Sequence, residues 1–587
     1  MRSRLNRARR TRRILRVGRG RSSSSPMRSR FDRAPRNDVT PKASGQRVRG
    51  DPSPRARGLY KYGTRGRPSL VDDSTRRNDT MTAYLIVFCL CCWSAARSAN
   101  ILAYFPTPSY SHQLVFRAYV ELLAERGHAV TVIRPLTRVD FNRNAGNLTT
   151  VDLDGDGLLL LMKASTTHRK RGIVADTDTV TANNYEALVR MVDRQIHSEP
   201  FQRHLKKSDR RSYDLLVVEA FVDYALIASH LFGDVPVVQI SSGHATAENF
   251  ETMGATSRHP RYYPNLWRFN FGPLSVWDGV RELYTELRLQ REFGLLADRQ
   301  DALLKRRFGP EAPGLRELRS RVRLLFVNVH SVFDNNRPVP PSVQYLGGLH
   351  LHDRRAEPLS EAVARFLDES RRGVVYVSFG SGLATEDMDA DMTAALLDAF
   401  KMMPYDVLWK HDGRVDGLTI PANVFVQKWF AQFEVLQHKN VKAFVTQAGV
   451  QSTDEAVENL VPLVGVPLMG DQAFNAHRYV ELGIGVALDA TRLTAADLAR
   501  AVEQVTSDRS YRANLERLRR LLRHQCASPT HKAVWYTEHA LRRDGDALKT
   551  KAANVDYAEY CMSDLLAPLL SVSLMSHLHS LIRMFVW

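Results

Sequence analysis

The chain has 587 residues and a mass of 66.5 kDa, with 44% hydrophobic and 25% charged residues. That balance is globular and long enough for roughly two to four domains, which excludes a disulfide-stapled miniprotein, a collagen-like repeat and a wholly disordered chain. The net charge of +19 suggests nucleic acid, but residues 1–80 hold 24 Lys and Arg against 6 Asp and Glu, and the other 507 residues hold 58 against 57. The folded part is electrically neutral, so no nucleic-acid partner is expected of it.

Residues 1–80 are dense in Arg, Ser, Gly and Pro without a sustained apolar period. Such a stretch cannot bury enough surface to offset the entropy of ordering, and it reads as a disordered basic extension. A nucleic-acid-binding arm is the alternative reading of the same residues. Met81 opens a second beginning: Leu85–Trp93 is a short apolar run, and Ser94-Ala-Ala-Arg-Ser-Ala99 follows it. That is the layout of a signal peptide over residues 81–98, with Ala96 or Ser98 as the cleavage point, and it predicts secretion. Cys89, Cys91 and Cys92 lie in this segment, so only Cys526 and Cys561 remain and at most one intramolecular disulfide is available. Asn147-Leu-Thr149 is an N-glycosylation sequon, usable in an exported chain.

From residue 100 the pattern alternates buried strand and amphipathic helix. Ile101–Phe105, a helix from His112 to Arg126 and Ala129–Ile133 make a βαβ opening, which implies a parallel sheet covered on both faces. Asp152-Leu-Asp-Gly-Asp-Gly157 begins like a calcium loop, but its twelfth position is Lys163 and it runs into Leu158–Leu161, so no metal site is expected. Tyr213–Glu219, a helix over Ala225–Phe232, Val235–Ile240 and Leu324–Val329 complete a first half. After the Pro338, Pro340, Pro341 loop the theme restarts with Gly373–Phe379, Tyr405–Trp409, Val424–Val426, Ala443–Val445 and Leu463–Gly465. Two α/β halves, 99–340 and 341–530, place a ligand cleft at the carboxyl ends of their strands. Residues 531–587 form a C-terminal helix and an atypical tail. In that tail Leu565–Trp587 is apolar but broken by Pro568, His577, His579 and Arg583, so no stable membrane anchor is expected.

The chemistry concentrates in loops that follow strands. Val377-Ser-Phe-Gly-Ser-Gly382 lets backbone amides, Gly380 and the hydroxyls of Ser378 and Ser381 approach an anion. Lys428-Trp-Phe-Ala-Gln432, Phe444-Val-Thr-Gln-Ala-Gly-Val-Gln-Ser-Thr-Asp-Glu455 and Pro462-Leu-Val-Gly-Val-Pro-Leu-Met-Gly-Asp-Gln472 follow. Together these segments resemble the donor-binding signature of the UDP-glycosyltransferases. The resemblance implies two Rossmann-like doubly wound domains facing a cleft (the GT-B type), with UDP-glucose as co-substrate and no cofactor or metal. Trp429 would stack on uracil and Gln432 would bond the uridine edge. Gln447 stands where the family usually has His, at the diphosphate, with Gly449, Gln451 and Ser452 at the helix start beside it. Glu455 would accept from the ribose, and Asp471 and Gln472 would hold sugar hydroxyls, glucose or galactose.

The same resemblance puts a general base at His112, after Pro106-Thr-Pro-Ser-Tyr-Ser. The carboxylate that orients it would be Glu219, or Asp223 one turn further on. Ile240–Gly254 and Tyr262–Trp267 resemble the group of this family in insect baculoviruses that glucosylates ecdysteroids and so inactivates the moulting hormone. A small lipophilic acceptor is therefore expected, with other alcohols or phenols as the alternative.

Overall fold

The computed structural model describes residues 98–586 apart from 142–145, 154–181, 210–211, 269–270, 353–355, 382–387, 389, 414–416 and 556. All of them belong to one compact unit, Cys91–Trp587. The basic extension, the signal-like segment and Leu158–Leu161 lie outside the described residues.

The first sheet has seven parallel strands, β1 (Asn100–Tyr104), β2 (Ala129–Pro135), β3 (Leu148–Leu153), β4 (Leu215–Glu219), β5 (Val237–Ser241), β6 (Val322–Val327) and β7 (Val343–Tyr345). Their order is β3-β2-β1-β4-β5-β6-β7. The second sheet has six, β8 (Val374–Ser378), β9 (Asp406–Lys410), β10 (Val424–Gln427), β11 (Val441–Thr446), β12 (Leu463–Gly465) and β13 (Gly485–Ala487), in the order β10-β9-β8-β11-β12-β13. Helices cover both faces, so the central strands are mostly apolar on both sides, with polar residues such as Glu219 and Ser378 at their carboxyl ends. Leu102 and Tyr104 join one core, Ile101 and Ala103 the other. In the second sheet Val375 and Val377 face away from Val374 and Tyr376.

Each sheet reverses direction once, between β1 and β4 and between β8 and β11. At such a reversal the two connecting helices leave on opposite faces, and a crevice opens beyond the carboxyl ends of the strands. The helices packed around the two sheets include α1 (Tyr110–Glu125), α2 (Ala182–Ile196), α3 (Val276–Phe308), α4 (Ala390–Met402), α5 (Gln432–Gln437), α6 (Val450–Asn459) and α7 (Gln472–Glu481). The 33-residue α3 starts at a capping box between Ser275 and Asp278 and stops at Gly309, where φ is +101°.

Three strands depart from the sequence reading. β3 carries Thr149, Thr150 and Asp152 at a sheet edge, so it lacks the buried-strand signature. Its Asp152 pairs with Arg134 at 3.2 Å, and the calcium-like loop from residue 154 on is outside the described residues. β7 and β13 have three residues each, too short for a period to register. Because β7 pairs with β6, the first sheet continues past the expected boundary at residue 340. The C-terminal helix α8 (Pro529–Ala540) also returns to the first half: Ala533 and Ala540 enter its core, and Thr537 Oγ1 is 2.7 Å from Tyr119 Oη. Cys526 and Cys561 are both free.

The last helix, α9 (Ser563–Val586), is exposed along its described length. Leu565–Met584 is long and apolar enough to cross a membrane by length and composition. Its polar interruptions are softened locally, since Ser571, Ser576 and Ser580 each donate to the carbonyl one turn back.

Candidate active site

The first sheet contributes a histidine at its reversal point. Pro106 and Pro108 keep the chain extended after β1, and α1 then begins at Tyr110, so His112 lies in its first turn. Glu219 ends β4, the strand beside β1, and is almost wholly buried. His112 Nδ1 stands 2.7 Å from Glu219 Oε1, while Glu219 Oε2 accepts the backbone N–H of Thr107 at 3.0 Å. A carboxylate only accepts, so Nδ1 carries the proton and Nε2 holds the lone pair. The rings of Phe116 and Phe221 flank the imidazole edge-on. Asp223, the other expected carboxylate, is engaged elsewhere. It starts a short 3₁₀ turn, pairs with Arg319 at 2.7 Å and accepts from Gln239 Nε2 at 3.2 Å. One helical turn beyond the strand end carries it away from the imidazole, and the orienting carboxylate is Glu219.

The second sheet contributes its loops in the same way. Gly380 follows β8 with φ at +77°, and a Cβ there would lie 2.0 Å from Gln447 Nε2, so only glycine fits. Ser378 is buried beneath that turn and Ser381 is exposed beyond it. After β11, Gln447 Oε1 accepts from Thr446 Oγ1 at 3.1 Å and Ala448 takes a left-handed φ of +70°. Gly449 then caps α6, aiming the free amides of its first turn at the crevice. Gln432 Nε2 donates to Ser452 Oγ at 3.0 Å and to Glu455 Oε2 at 2.7 Å, and Tyr376 Oη donates to Gln432 Oε1 at 3.3 Å. Trp429 is half-buried, and the ring of Tyr110 meets it edge to face at 4.8 Å. Asp471 caps α7; Gln472 Oε1 accepts the backbone N–H groups of Leu468 and Met469, which leaves its amide N–H groups for a ligand.

One open cleft of about 530 Å³ gathers His112 with Ser378, Gly380, Ser381, Trp429, Gln432, Gln447, Gly449, Gln451, Ser452, Glu455, Asp471 and Gln472. That volume suits a nucleotide-sized ligand. Gln451 lies in the first turn of α6, where its side chain also donates to the Ser242 carbonyl after β5 at 2.8 Å and ties the two halves together. His244 and Asn475 make a second tie at 3.0 Å. The sequence reading missed Lys410, buried at the end of β9 with Nζ 5.8 Å from the centre of the Trp429 ring, and His350. A charged residue closing a strand that aims at the crevice was the available signal for Lys410. His350 lines the cleft, and burial drives its pKa down to about 3. Among the described residues no group of three or more His, Cys, Asp and Glu could hold a metal.

Comparison with known proteins places this architecture. The family profile described as UDP-glucoronosyl and UDP-glucosyl transferase matches residues 101–584. An ecdysteroid UDP-glucosyltransferase of Lymantria dispar multicapsid nuclear polyhedrosis virus is 98% identical over 507 residues, 86% of this chain and all of that protein. The 80 residues outside that alignment equal in number those before Met81. The ecdysteroid UDP-glucosyltransferase of Mamestra brassicae nuclear polyhedrosis virus is 50% identical over 508 residues, 85% of this chain and 96% of its own. Among solved structures, the calicheamicin glycosyltransferase CalG4 shares the fold with a TM-score of 0.52 at 20% identity, covering 76% of this chain and 99% of its own. UGT89C1 of Arabidopsis thaliana, solved with quercetin, does so with a TM-score of 0.51 at 17% identity, covering 76% and 100%. The two sheets are the paired Rossmann-like domains of the GT-B fold. The chain belongs to the UDP-glycosyltransferase family and is an enzyme that transfers a glycosyl group from a UDP-sugar to an acceptor.

Proposed function

We propose that the protein moves glucose from UDP-glucose to a hydroxyl of an ecdysteroid, with inversion at the anomeric carbon. The observation that carries this reading is the 2.7 Å contact between His112 Nδ1 and Glu219 Oε1 in a cleft shared with the donor-signature residues. His112 Nε2 takes the acceptor hydroxyl proton as that oxygen bonds to the sugar C1. The bond from C1 to the phosphate oxygen breaks on the opposite face, and UDP leaves with the electron pair. Glu219 holds the ring in place and stabilises the imidazolium that forms.

On the donor side Trp429 stacks on uracil, Gln432 bonds its edge and Glu455 accepts from the ribose. The diphosphate lies against Ser378, Gly380, Ser381, the neutral amide of Gln447 and the start of α6 at Gly449 and Ser452, so helix amides and hydroxyls carry the developing charge. Asp471 and the amide of Gln472 hold the sugar hydroxyls. No step is assigned to a metal ion. Glucose and the ecdysteroid acceptor rest on what the viral relatives are named for. The test is a panel of hydroxylated acceptors, including 20-hydroxyecdysone, incubated with UDP-glucose and read by mass. Conjugation of phenols and never of ecdysteroids would keep the chemistry and remove the acceptor.

We further propose that translation from Met81 gives a secreted glycoprotein, with Asn147, exposed at the start of β3, as the glycan site. Expressed in insect cells, it should enter the medium with an N-terminus near Arg97 or Ala99. Retention in a membrane fraction, released on deletion of Leu565–Met584, would replace secretion with anchoring.

A further inference from the structure

Phe221, beside the base, also lines a small recess that shares none of the cleft's lining residues. Aromatic rings lead to it from the base: the His112 imidazole to Phe221 at 6.0 Å, Phe221 to Tyr185 at 5.9 Å and Tyr185 to Phe293 at 5.0 Å. Those three aromatic residues line the recess, which measures about 30 Å³. That is room for a hydroxyl-sized group, since a water needs roughly 10–15 Å³ on the same measure. The recess therefore begins one ring away from the base, and its apolar rings give way to polar atoms at Asp223, Glu248 and Gln300.

The end wall is polar, with Asp223, Glu248 and Gln300 beside the guanidinium of Arg319. Gln300, on α3, is 6% exposed and lines the recess. Its Nε2 is spent on the Leu296 carbonyl at 3.4 Å, whereas its Oε1 has no hydrogen-bond partner among the described residues. Asp223 and Glu248 line the same recess, each already facing an arginine, Arg319 and Arg258. A buried carbonyl oxygen left without a donor is costly, and proteins keep few of them. With Asp223 and Glu248 held by arginines, Gln300 Oε1 is the acceptor of this wall left open, among the described residues, to a donating O–H.

We infer that this recess is a selectivity subsite for the acceptor, in which Gln300 Oε1 accepts a hydrogen bond from a second hydroxyl remote from the one that reacts at His112. The inference rests on the acceptor reading given above and narrows it: the substrate class is a fused-ring lipid bearing hydroxyls at both ends. A simple phenol or a sterol with one hydroxyl has no second hydroxyl to offer and leaves Gln300 Oε1 unpaired. Discrimination follows from that unpaired atom, because a site built to hydrogen-bond a hydroxyl penalises the analogue that lacks it.

The test compares wild type with Gln300→Met, which keeps side-chain length and drops the carbonyl, and with Gln300→Leu as a second variant. Two acceptors are used, 20-hydroxyecdysone and a single-hydroxyl phenol. For the polyhydroxylated steroid kcat/KM should fall by about 5- to 150-fold, the cost of leaving a buried hydroxyl unsatisfied. For the phenol it should stay within twofold, and UDP-glucose affinity should not move. Removing an orphaned carbonyl should leave thermal stability unchanged or higher, so the loss is not one of folding. An equal loss on both acceptors, or no loss on either, overturns the inference and makes the recess a packing gap or a water site. Wild type that conjugates the phenol and never the steroid removes the acceptor reading, and the inference with it.

Discussion

The donor and acceptor walls of the cleft occupy the same place in their respective sheets, yet they are tied together over different distances. On the donor side Gln432 bonds Ser452 and Glu455, partners 20 and 23 positions away, and Gln447 packs on the Gly380 turn. On the acceptor side His112 and Glu219 are 107 positions apart, and Asp223 meets Arg319 across 96. Most of the donor wall comes from residues 429–472, joined by the Ser378–Ser381 turn, and its side chains pre-order one another. The acceptor wall exists only once the sheet has closed. Binding energy should therefore concentrate in the first and control of the chemical step in the second.

That division can be broken by substitution. The largest expected effect is at His112: His112→Ala should lower kcat by about 10²–10⁴-fold, the usual worth of a positioned base, with the dissociation constant for UDP-glucose unchanged by calorimetry. Loss of donor affinity in that variant would erase the distinction between the walls. Trp429→Ala should do the opposite, weakening UDP by about 1–3 kcal/mol through lost base stacking while saturating turnover changes less. Glu219→Gln should lower kcat by about 10–10²-fold, less than His112→Ala, because the base remains and only its orientation and charge stabilisation suffer. Asp223→Asn should affect turnover less than Glu219→Gln, since that carboxylate faces Arg319 rather than the imidazole. A reversed ranking of those two would return Asp223 to the orienting role.

The smallest effect is on stability against pH. Burial lowers His350 to about 3 and His330 to about 4, against an ordinary histidine value of 6.5. A group whose folded pKa is depressed is stabilising above its unfolded value and loses that contribution as pH falls below it. The unfolded chain then takes up protons that the fold refuses, at up to about 1.4 kcal/mol per pH unit for each histidine. His350→Gln should narrow the drop in melting temperature between pH 7 and pH 5. An unchanged drop would mean that His350 protonates in place.

The same contrast explains what the amino-acid sequence reveals. The donor signature falls in three segments within residues 428–472, and their spacing carries Trp429, Gln432, Gln447, Ser452, Glu455 and Gln472 into one cleft. The tie from Gln451 to the Ser242 carbonyl, on a loop 209 positions earlier, is a contact that no local pattern announces. The two carboxylates after β4 are four residues apart, and no local pattern separates them; the neighbour pairing of β1 with β4 does. The three-residue strands β7 and β13 gain their stability from sheet partners, so their own sequences are silent. The return of α8 onto the first half is likewise a long-range event, marked by Tyr119 and Thr537, 418 positions apart.

The central claim is that His112, oriented by Glu219, activates an acceptor hydroxyl for single-step displacement at a sugar carbon held by the donor wall. The anomeric configuration of the product tests it most directly. Conjugate formed from α-linked UDP-glucose by the wild-type protein is collected early and its anomeric proton read by NMR. A β-glucoside, with His112→Ala forming the same product at a greatly reduced rate, is the expected result. An α-glucoside, or undiminished turnover in His112→Ala, would contradict the mechanism.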